Sequence, residues 1–130
     1  MKNWMLIIVL VIITCASAVA KDNDIVAMTI LGEARGEGKQ GMYAVACVIN
    51  QRAINRKITP AQVCLQKKQF SCWNYTSLVQ HGRNKAKLKA LLNTKEGEYA
   101  KLLASNIYNL KREYVKYADH YCTLNTHNYW

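Results

Sequence analysis

Apolar residues recur at helical spacing along most of the chain, with short polar breaks between the runs. The stretch 25-IVAMTILGEAR-35 predicts a first helix that ends at Gly36 and Gly38. A second helix is predicted over about 41–55, because apolar residues recur there at steps of three and four. Two helices joined by a glycine-rich turn are therefore expected in the first half of the chain.

The remaining pattern predicts three shorter helices. Thr59, followed by proline, is typical of an N-cap and a first helical turn, so a third helix is expected over about 60–66. Leucine spacing predicts a fourth helix that starts near Asn84 and is broken by Gly97. The last helix is expected over about 97–110.

Two stretches lack a helical period. Residues 67–82 are rich in aromatic side chains and predict an ordered loop, and residues 114–130 predict an irregular tail that could include a short strand. The chain has one proline and six glycines in 130 residues, which favours helices over turns. The expected fold class is mostly α (α+β), as one domain with a loop-rich face.

The first twenty residues have the pattern of a signal peptide. Lys2 is followed by an apolar run at 4–13, which is too short to span a bilayer comfortably, and an Ala-Val-Ala sequence ends the segment. We therefore expect 1–20 to be removed and 21–130 to be an exported domain, in the periplasm, the cell envelope or the medium, with no stable membrane insertion after cleavage. An uncleaved anchor is the alternative.

Four cysteines lie beyond the predicted signal peptide, and an even count in an exported chain favours disulfides. We expect Cys64 to pair with Cys72, which leaves Cys47 for Cys122. The chain has three histidines and no Cys-x-x-Cys or Cys-x-x-His spacing, so we expect neither a metal site nor a cofactor.

The formal net charge is +10, which implies a polyanionic partner such as nucleic acid, an anionic membrane or an acidic wall polymer. Charge alone does not choose among them. The basic run 83-RNKAKLK-89 spreads around a predicted helix, so a solvated face is the simpler interpretation than a nucleic-acid site.

Glu33 is the strongest candidate for chemistry. On a helix it lies above Val26, Thr29 and Ile30, on the face that should pack inward, and near the negative end of the helix dipole. A carboxylic acid in such a place is poorly solvated and should keep its proton, as an acid that protonates a glycosidic oxygen must. A surface acid in an ordinary ion pair is the alternative. Glu37, four residues later, would be the neighbouring anion.

The segment GEARGE at 32–37, followed by GxxAVAxVINxR at 41–52, resembles the cell wall hydrolase family of bacterial spore cortex-lytic enzymes. The similarity continues at 60-PAQVCLQKKQFS-71 and at 118-ADHYCT-123. The resemblance implies a lysozyme-like catalytic domain that cleaves peptidoglycan glycan strands, as a muramidase or a lytic transglycosylase. It also implies that Glu33, the first glutamate of GEARGE, is the general acid.

A lytic transglycosylase needs a single glutamate, whereas a two-carboxylate hydrolase needs a partner at a defined separation. Glu37 and Asp119 are the candidates for that partner, and neither is convincing, so the one-acid mechanism is favoured. The residues expected to bind substrate are Glu37, Gln69, Phe70, Trp73, Tyr75, His120 and Tyr121. Core packing is the alternative for the aromatic residues.

The expected partner is the peptidoglycan glycan strand, bound by a monomer that does not bind nucleic acid. Two other functions stay open from the sequence. One is a non-catalytic cationic envelope protein that binds peptidoglycan. The other is a cationic exported protein that acts on membranes or nucleic acid.

Overall fold

The computed structural model describes residues 2–120 of the chain, with side chains described from residue 14. Five α-helices occupy most of this part: α1 (Lys2–Ala34), α2 (Gly38–Arg56), α3 (Pro60–Leu65), α4 (Leu78–Leu91) and α5 (Lys95–Ser105). Four short 3-10 turns connect or follow them: Arg35–Glu37, Ser71–Trp73, Ile107–Asn109 and Arg112–Val115. No strand occurs in residues 2–120, and this confirms the mostly α class.

Helix α1 forms the centre of the fold. Its residues 26–31 are all buried, on every side of the helix, because α2, α3, α4 and α5 all pack against it. The predicted start of this helix near residue 25 is wrong, since the helix runs without a break from Lys2. No glycine or proline precedes Gly32, so nothing in the sequence interrupts it. No helix in the described part of the chain is long and apolar enough to cross a membrane.

The break after α1 and the two helices that follow confirm the sequence analysis. Gly38 has a φ of +71°, a conformation that glycine adopts at little cost, and α2 begins there. At the start of α3, the Thr59 side chain accepts a hydrogen bond from the Gln62 amide at 3.2 Å. The Gln62 side chain accepts in return from the Thr59 amide at 2.9 Å, which completes a capping box.

The predicted start of the fourth helix near Asn84 is wrong. Helix α4 begins six residues earlier, at Leu78, where the Ser77 hydroxyl accepts from the Gln80 amide at 3.2 Å. This cap satisfies a free amide of the first turn, although the following residues lack a regular apolar period. The loop predicted over 67–82 therefore ends at Ser77.

The predicted role of Gly97 as a helix breaker is also wrong. Gly97 lies inside the first turn of α5, and its amide donates to the Thr94 hydroxyl at 3.1 Å. A Cβ at this position would lie 2.2 Å from the Leu91 carbonyl oxygen. Gly97 is needed because the backbone at the end of α4 passes directly against α5, not because the helix stops.

The predicted disulfide between Cys64 and Cys72 is absent, since both are free thiols in the structure. Cys64 is fully buried, and Cys72 packs against Gly32 of α1. Cys47 is also a free, buried thiol, and its predicted partner Cys122 lies outside the described residues. The predicted strand is absent from 114–120, and the rest of that tail is likewise outside the described part.

Candidate active site

Glu33 lies in the last turn of α1, half-buried, where the central helix reaches the surface. Its Oε1 accepts hydrogen bonds from the Ser71 hydroxyl at 3.1 Å and from the Cys72 amide at 3.2 Å. Both donors belong to the 3-10 turn Ser71–Trp73, which follows the buried Phe70. A carboxyl group held by two donors from a neighbouring turn has a fixed orientation at the surface of the fold.

Gly32 allows this turn to reach Glu33. A Cβ at Gly32 would lie 2.7 Å from the Cys72 Cβ and 3.0 Å from its sulfur, which is closer than side chains approach each other. A Cβ at Gly36 or Gly38 would meet nothing within 4 Å, so no other segment lies this close to either of these glycines. Gly32, and not Gly36 or Gly38, therefore allows the second segment of the site to pack against the first.

Trp73 anchors the other end of the same turn. Its indole nitrogen donates to the Thr29 hydroxyl at 2.8 Å, and that hydroxyl donates to the Ile25 carbonyl at 2.8 Å. Thr29 is fully buried and lies one helical turn before Glu33. The indole therefore fixes the 3-10 turn Ser71–Trp73 to the buried part of α1. The Trp73 ring is half-buried, and the side chain thus has a structural role whatever else it contacts.

Arg52 of α2 connects this turn to the end of the described chain. Its guanidinium carbon lies 5.2 Å from the centre of the Phe70 ring, and its Nε donates to the backbone carbonyl of Asp119. Arg52 has only 6% of its surface exposed, although it carries a charge. Successive contacts thereby link α1, the segment 70–73, α2 and Asp119.

Asp119 and His120 form a pair at the edge of this arrangement. Asp119 Oδ1 lies 2.6 Å from His120 Nδ1, and Asn55 donates to Oδ2 at 3.4 Å. The hydrogen bond with His120 is the main cause that lowers the pKa of Asp119 below its usual value. The carboxyl group is therefore ionised at neutral pH, and it is already engaged by two side chains.

The other residues predicted to bind substrate lie in different surroundings. Glu37 is exposed beyond the end of α1, and Gln69 accepts a hydrogen bond from Arg56 at 3.0 Å. Tyr75 is 48% exposed, with its ring 4.3 Å from that of His81. Phe70 is 1% exposed, so its ring is part of the core and is not available for stacking on a sugar. Tyr121 lies outside the described residues.

Sequence reasoning did not identify Ser71, Cys72 or Arg52 as parts of this site. Ser71 belongs to the Gln-Phe-Ser stretch, and Arg52 ends the VINxR pattern, so both lie within the segments that carried the resemblance. In the described part of the chain, no three His, Cys, Asp or Glu side chains are grouped so that they could hold a metal ion.

The thiols near and behind this site are expected to be unreactive in the native protein. Burial is the main cause that raises the pKa of Cys72, and the charge of Glu33 and its hydrogen bond add to it. Burial also raises the pKa of Cys47 to about 11, from an ordinary 9.0. A thiol with this raised pKa has about a hundredfold less thiolate at pH 8 than an ordinary cysteine, and the thiolate is the form that reacts.

Peptide mapping after brief treatment with iodoacetamide at pH 8 tests this prediction. We expect Cys47, Cys64 and Cys72 to stay unlabelled in the native protein and to be labelled in guanidinium chloride without reductant. Rapid native labelling of Cys72 would contradict the prediction. A Cys64 and Cys72 pair that resists labelling after unfolding would show that the disulfide predicted from the sequence forms after all.

The site thus presents one carboxyl group fixed at the surface by a serine hydroxyl and a backbone amide. The turn that supplies both donors follows Phe70, which packs against a buried arginine bound to the carbonyl of Asp119. A family model described as Cell Wall Hydrolase matches residues 36–130. The chain belongs to the cell wall hydrolase family. Comparisons with curated proteins and with solved structures gave no match.

The family membership confirms the resemblance and establishes a hydrolase that acts on the cell wall. The match includes Arg52, Ser71, Cys72 and Asp119, and it begins three residues after Glu33. Glu33 therefore stands as the candidate acid of this cell wall hydrolase on its position and its hydrogen bonds.

Proposed function

We propose that this cell wall hydrolase cleaves the glycan strands of peptidoglycan, with Glu33 as the single general acid and base. The observation that carries the proposal is the pair of donors on Glu33 Oε1, from Ser71 Oγ at 3.1 Å and Cys72 N at 3.2 Å. They fix a half-buried carboxyl group at the end of the central helix, which is the placement that general acid catalysis needs.

In the proposed reaction, the protonated Glu33 donates its proton to the glycosidic oxygen as the bond from that oxygen to the anomeric carbon breaks. The sugar that keeps the anomeric carbon develops positive charge there. The resulting Glu33 carboxylate then removes a proton from the group that attacks this carbon. If the attacking group is the sugar's own hydroxymethyl oxygen, an anhydro end forms, and if it is water, a reducing end forms.

The surroundings of the other acids favour the mechanism with one carboxyl group. Asp119 is bound by His120 and Asn55, which leaves it an ionised and occupied group. Glu37 follows the break in the helix and is exposed, so it does not stack one helical turn above Glu33 as a continuous helix would place it. An intramolecular attack by the hydroxymethyl group requires neither of them.

Analysis of the products from purified sacculi tests this proposal. We expect muropeptides that end in anhydro-muramic acid, which are lighter by one water than the corresponding reducing ends. Mass spectrometry of reduced and unreduced digests separates the two, because only a reducing end takes up hydride. Reducing ends would show a hydrolytic muramidase with water as the attacking group. Cleavage of stem peptides with intact glycan strands would refute the proposal.

The lysozyme-like character of the domain, its action as a monomer and its export by a signal peptide at 1–20 belong to the same proposal. A cell wall substrate lies outside the cytoplasmic membrane, so the family favours export. The main alternative is a cationic envelope protein that binds peptidoglycan without cleaving it. Binding to sacculi without release of any fragment would favour that alternative.

A further inference from the structure

A second concave surface lies away from Glu33, between the start of α2, helix α5 and the 3-10 turn Arg112–Val115. This groove has a volume of about 610 Å³ and is lined mainly by apolar surface. Three tyrosines form its walls, and two lysines and a glutamine stand at its rim: Tyr43, Tyr99, Tyr114, Lys39, Lys111 and Gln40. We name it the tyrosine groove.

The tyrosine groove is on the opposite side of α2 from the candidate active site. Tyr43 and Arg52 are nine positions apart on one helix, which separates them by about 180° around its axis. Arg52 faces Phe70 and Asp119, whereas Tyr43 faces the segment that begins at Lys111. A ligand in the groove therefore does not occupy the place next to Glu33.

One aromatic wall of the groove, Tyr43, is held in place by a hydrogen bond from the backbone. The Tyr43 hydroxyl accepts from the Lys111 amide at 2.8 Å, and the Cys47 thiol donates to the Lys111 carbonyl at 3.7 Å. Tyr114 packs edge-on against Tyr43, with ring centres 5.4 Å apart. A ring fixed as Tyr43 is needs little ordering when a ligand binds, which favours affinity.

Tyr99, the third tyrosine of the groove, lies close to Tyr43 and Tyr114. Burial is the main cause that raises the pKa of Tyr99, and Tyr43, Cys47 and Tyr114 add to the rise. The Lys39 ammonium lies 5.3 Å from the centre of the Tyr99 ring, so a cation already stands at the mouth of the groove.

The chemistry of the groove suits a saccharide that also carries an acid. The faces of sugar rings expose apolar C–H groups that pack on aromatic rings, and the side-chain amide of Gln40 can bond an N-acetyl group. Lys39 and Lys111 provide two positive charges against the single carboxylate of Glu113. The net charge favours an anionic ligand over a neutral one.

We propose that the tyrosine groove is a second, non-catalytic binding site for peptidoglycan, which takes an N-acetylated amino sugar together with a carboxylate attached to it. The choice of ligand rests on the proposed function, because a wall polymer supplies both parts in one unit. Such a site holds a strand on the far side of α2 while the active site is free to act or to release its product.

Binding to purified sacculi, measured by co-sedimentation, tests the proposal in a Glu33→Gln background that leaves the strands uncut. We expect Tyr114→Ala to weaken binding by about tenfold, the size that about 1.4 kcal/mol of lost contact produces. Tyr108→Ala is the matched control, because Tyr108 is an exposed tyrosine outside the groove, and it should leave binding unchanged. Equal binding by both variants, or no binding by the parent, would overturn the proposal.

A second variant leaves all three tyrosine rings in place, so that weaker binding cannot be attributed to a loss of packing in the folded protein. Lys39→Glu should weaken binding of a soluble disaccharide-peptide from peptidoglycan and leave binding of an uncharged N-acetylglucosamine tetramer unchanged. Equal loss for both ligands, or loss for neither, would refute the role of charge and with it the assigned ligand. These binding results do not depend on lysis. The proposed binding site can therefore be refuted while the proposed reaction is upheld, and the reaction can be refuted while the binding site is upheld.

Discussion

Replacement of Glu33 by glutamine is expected to lower the rate of peptidoglycan cleavage by about 10²–10⁴-fold, the usual contribution of a general acid. The amide has the same shape as the carboxyl group but has no acidic proton to give to the leaving oxygen. Its side-chain oxygen can still accept from the Ser71 hydroxyl and the Cys72 amide, so the turn should keep its place. The loss should therefore appear in the rate and not in the stability.

The measurement is the fall in turbidity of purified sacculi, with the release of soluble muropeptides as a second readout. Glu96→Gln makes the same chemical change at an exposed position in the first turn of α5, and it should keep the activity of the parent. Both variants should stay folded and unfold at temperatures close to that of the parent, with only the small loss that removing one charge from the first turn of α5 produces in Glu96→Gln. Undiminished lysis by Glu33→Gln would rule out this residue as the acid and would direct attention to the Asp119–His120 pair.

The position of Glu33 could be predicted from the sequence because it depends on one helix alone. Its placement above Val26, Thr29 and Ile30 follows from helical spacing, and these three residues are indeed buried. The groups that bind its carboxyl oxygen could not be predicted in the same way. Ser71 and Cys72 are separated from it by 38 and 39 residues, and they reach it only because Gly32 lets two segments touch.

The aromatic residues show a similar limit of sequence reasoning. Phe70, Trp73 and Tyr75 lie within six residues of one another in a stretch without helical period, and the sequence gives no reason to separate them. In the structure Phe70 is core, Trp73 is tied to Thr29, and Tyr75 is exposed. The 3-10 turn Ser71–Trp73 determines which ring points inward, and its geometry depends on the contact with α1.

Glycine has two different structural roles in this chain, at a helix boundary and at a close contact inside a helix, and the sequence pattern does not distinguish them. Gly38 has a left-handed backbone conformation and starts a new helix, as a break in the pattern suggested. Gly97 follows a similar break, but it is a regular helical residue whose missing side chain makes room for the backbone at the end of α4. The role of Gly97 becomes clear only from the position of the Leu91 and Leu92 backbone, which tertiary packing determines.

Replacement of Gly97 by alanine is therefore expected to destabilise the protein, although alanine is the better helix former. Helix propensity alone would favour alanine by about 1 kcal/mol. The added Cβ would lie 2.2 Å from the Leu91 carbonyl oxygen and 2.5 Å from the Leu92 carbonyl group, and backbone atoms cannot swing aside as a side chain can. We expect the free energy of unfolding to fall by about 1–3 kcal/mol, the range typical of overpacked sites.

Gly82→Ala is the matched control for this prediction. Gly82 is exposed within α4, and a Cβ there would meet nothing within 4 Å. The same substitution should raise the free energy of unfolding by about 0.5–1 kcal/mol, because the unfolded chain loses freedom and the folded chain loses nothing. Urea denaturation of both variants gives the two values. A stabilising effect at both glycines would mean that α5 does not lie against the carbonyls of Leu91 and Leu92.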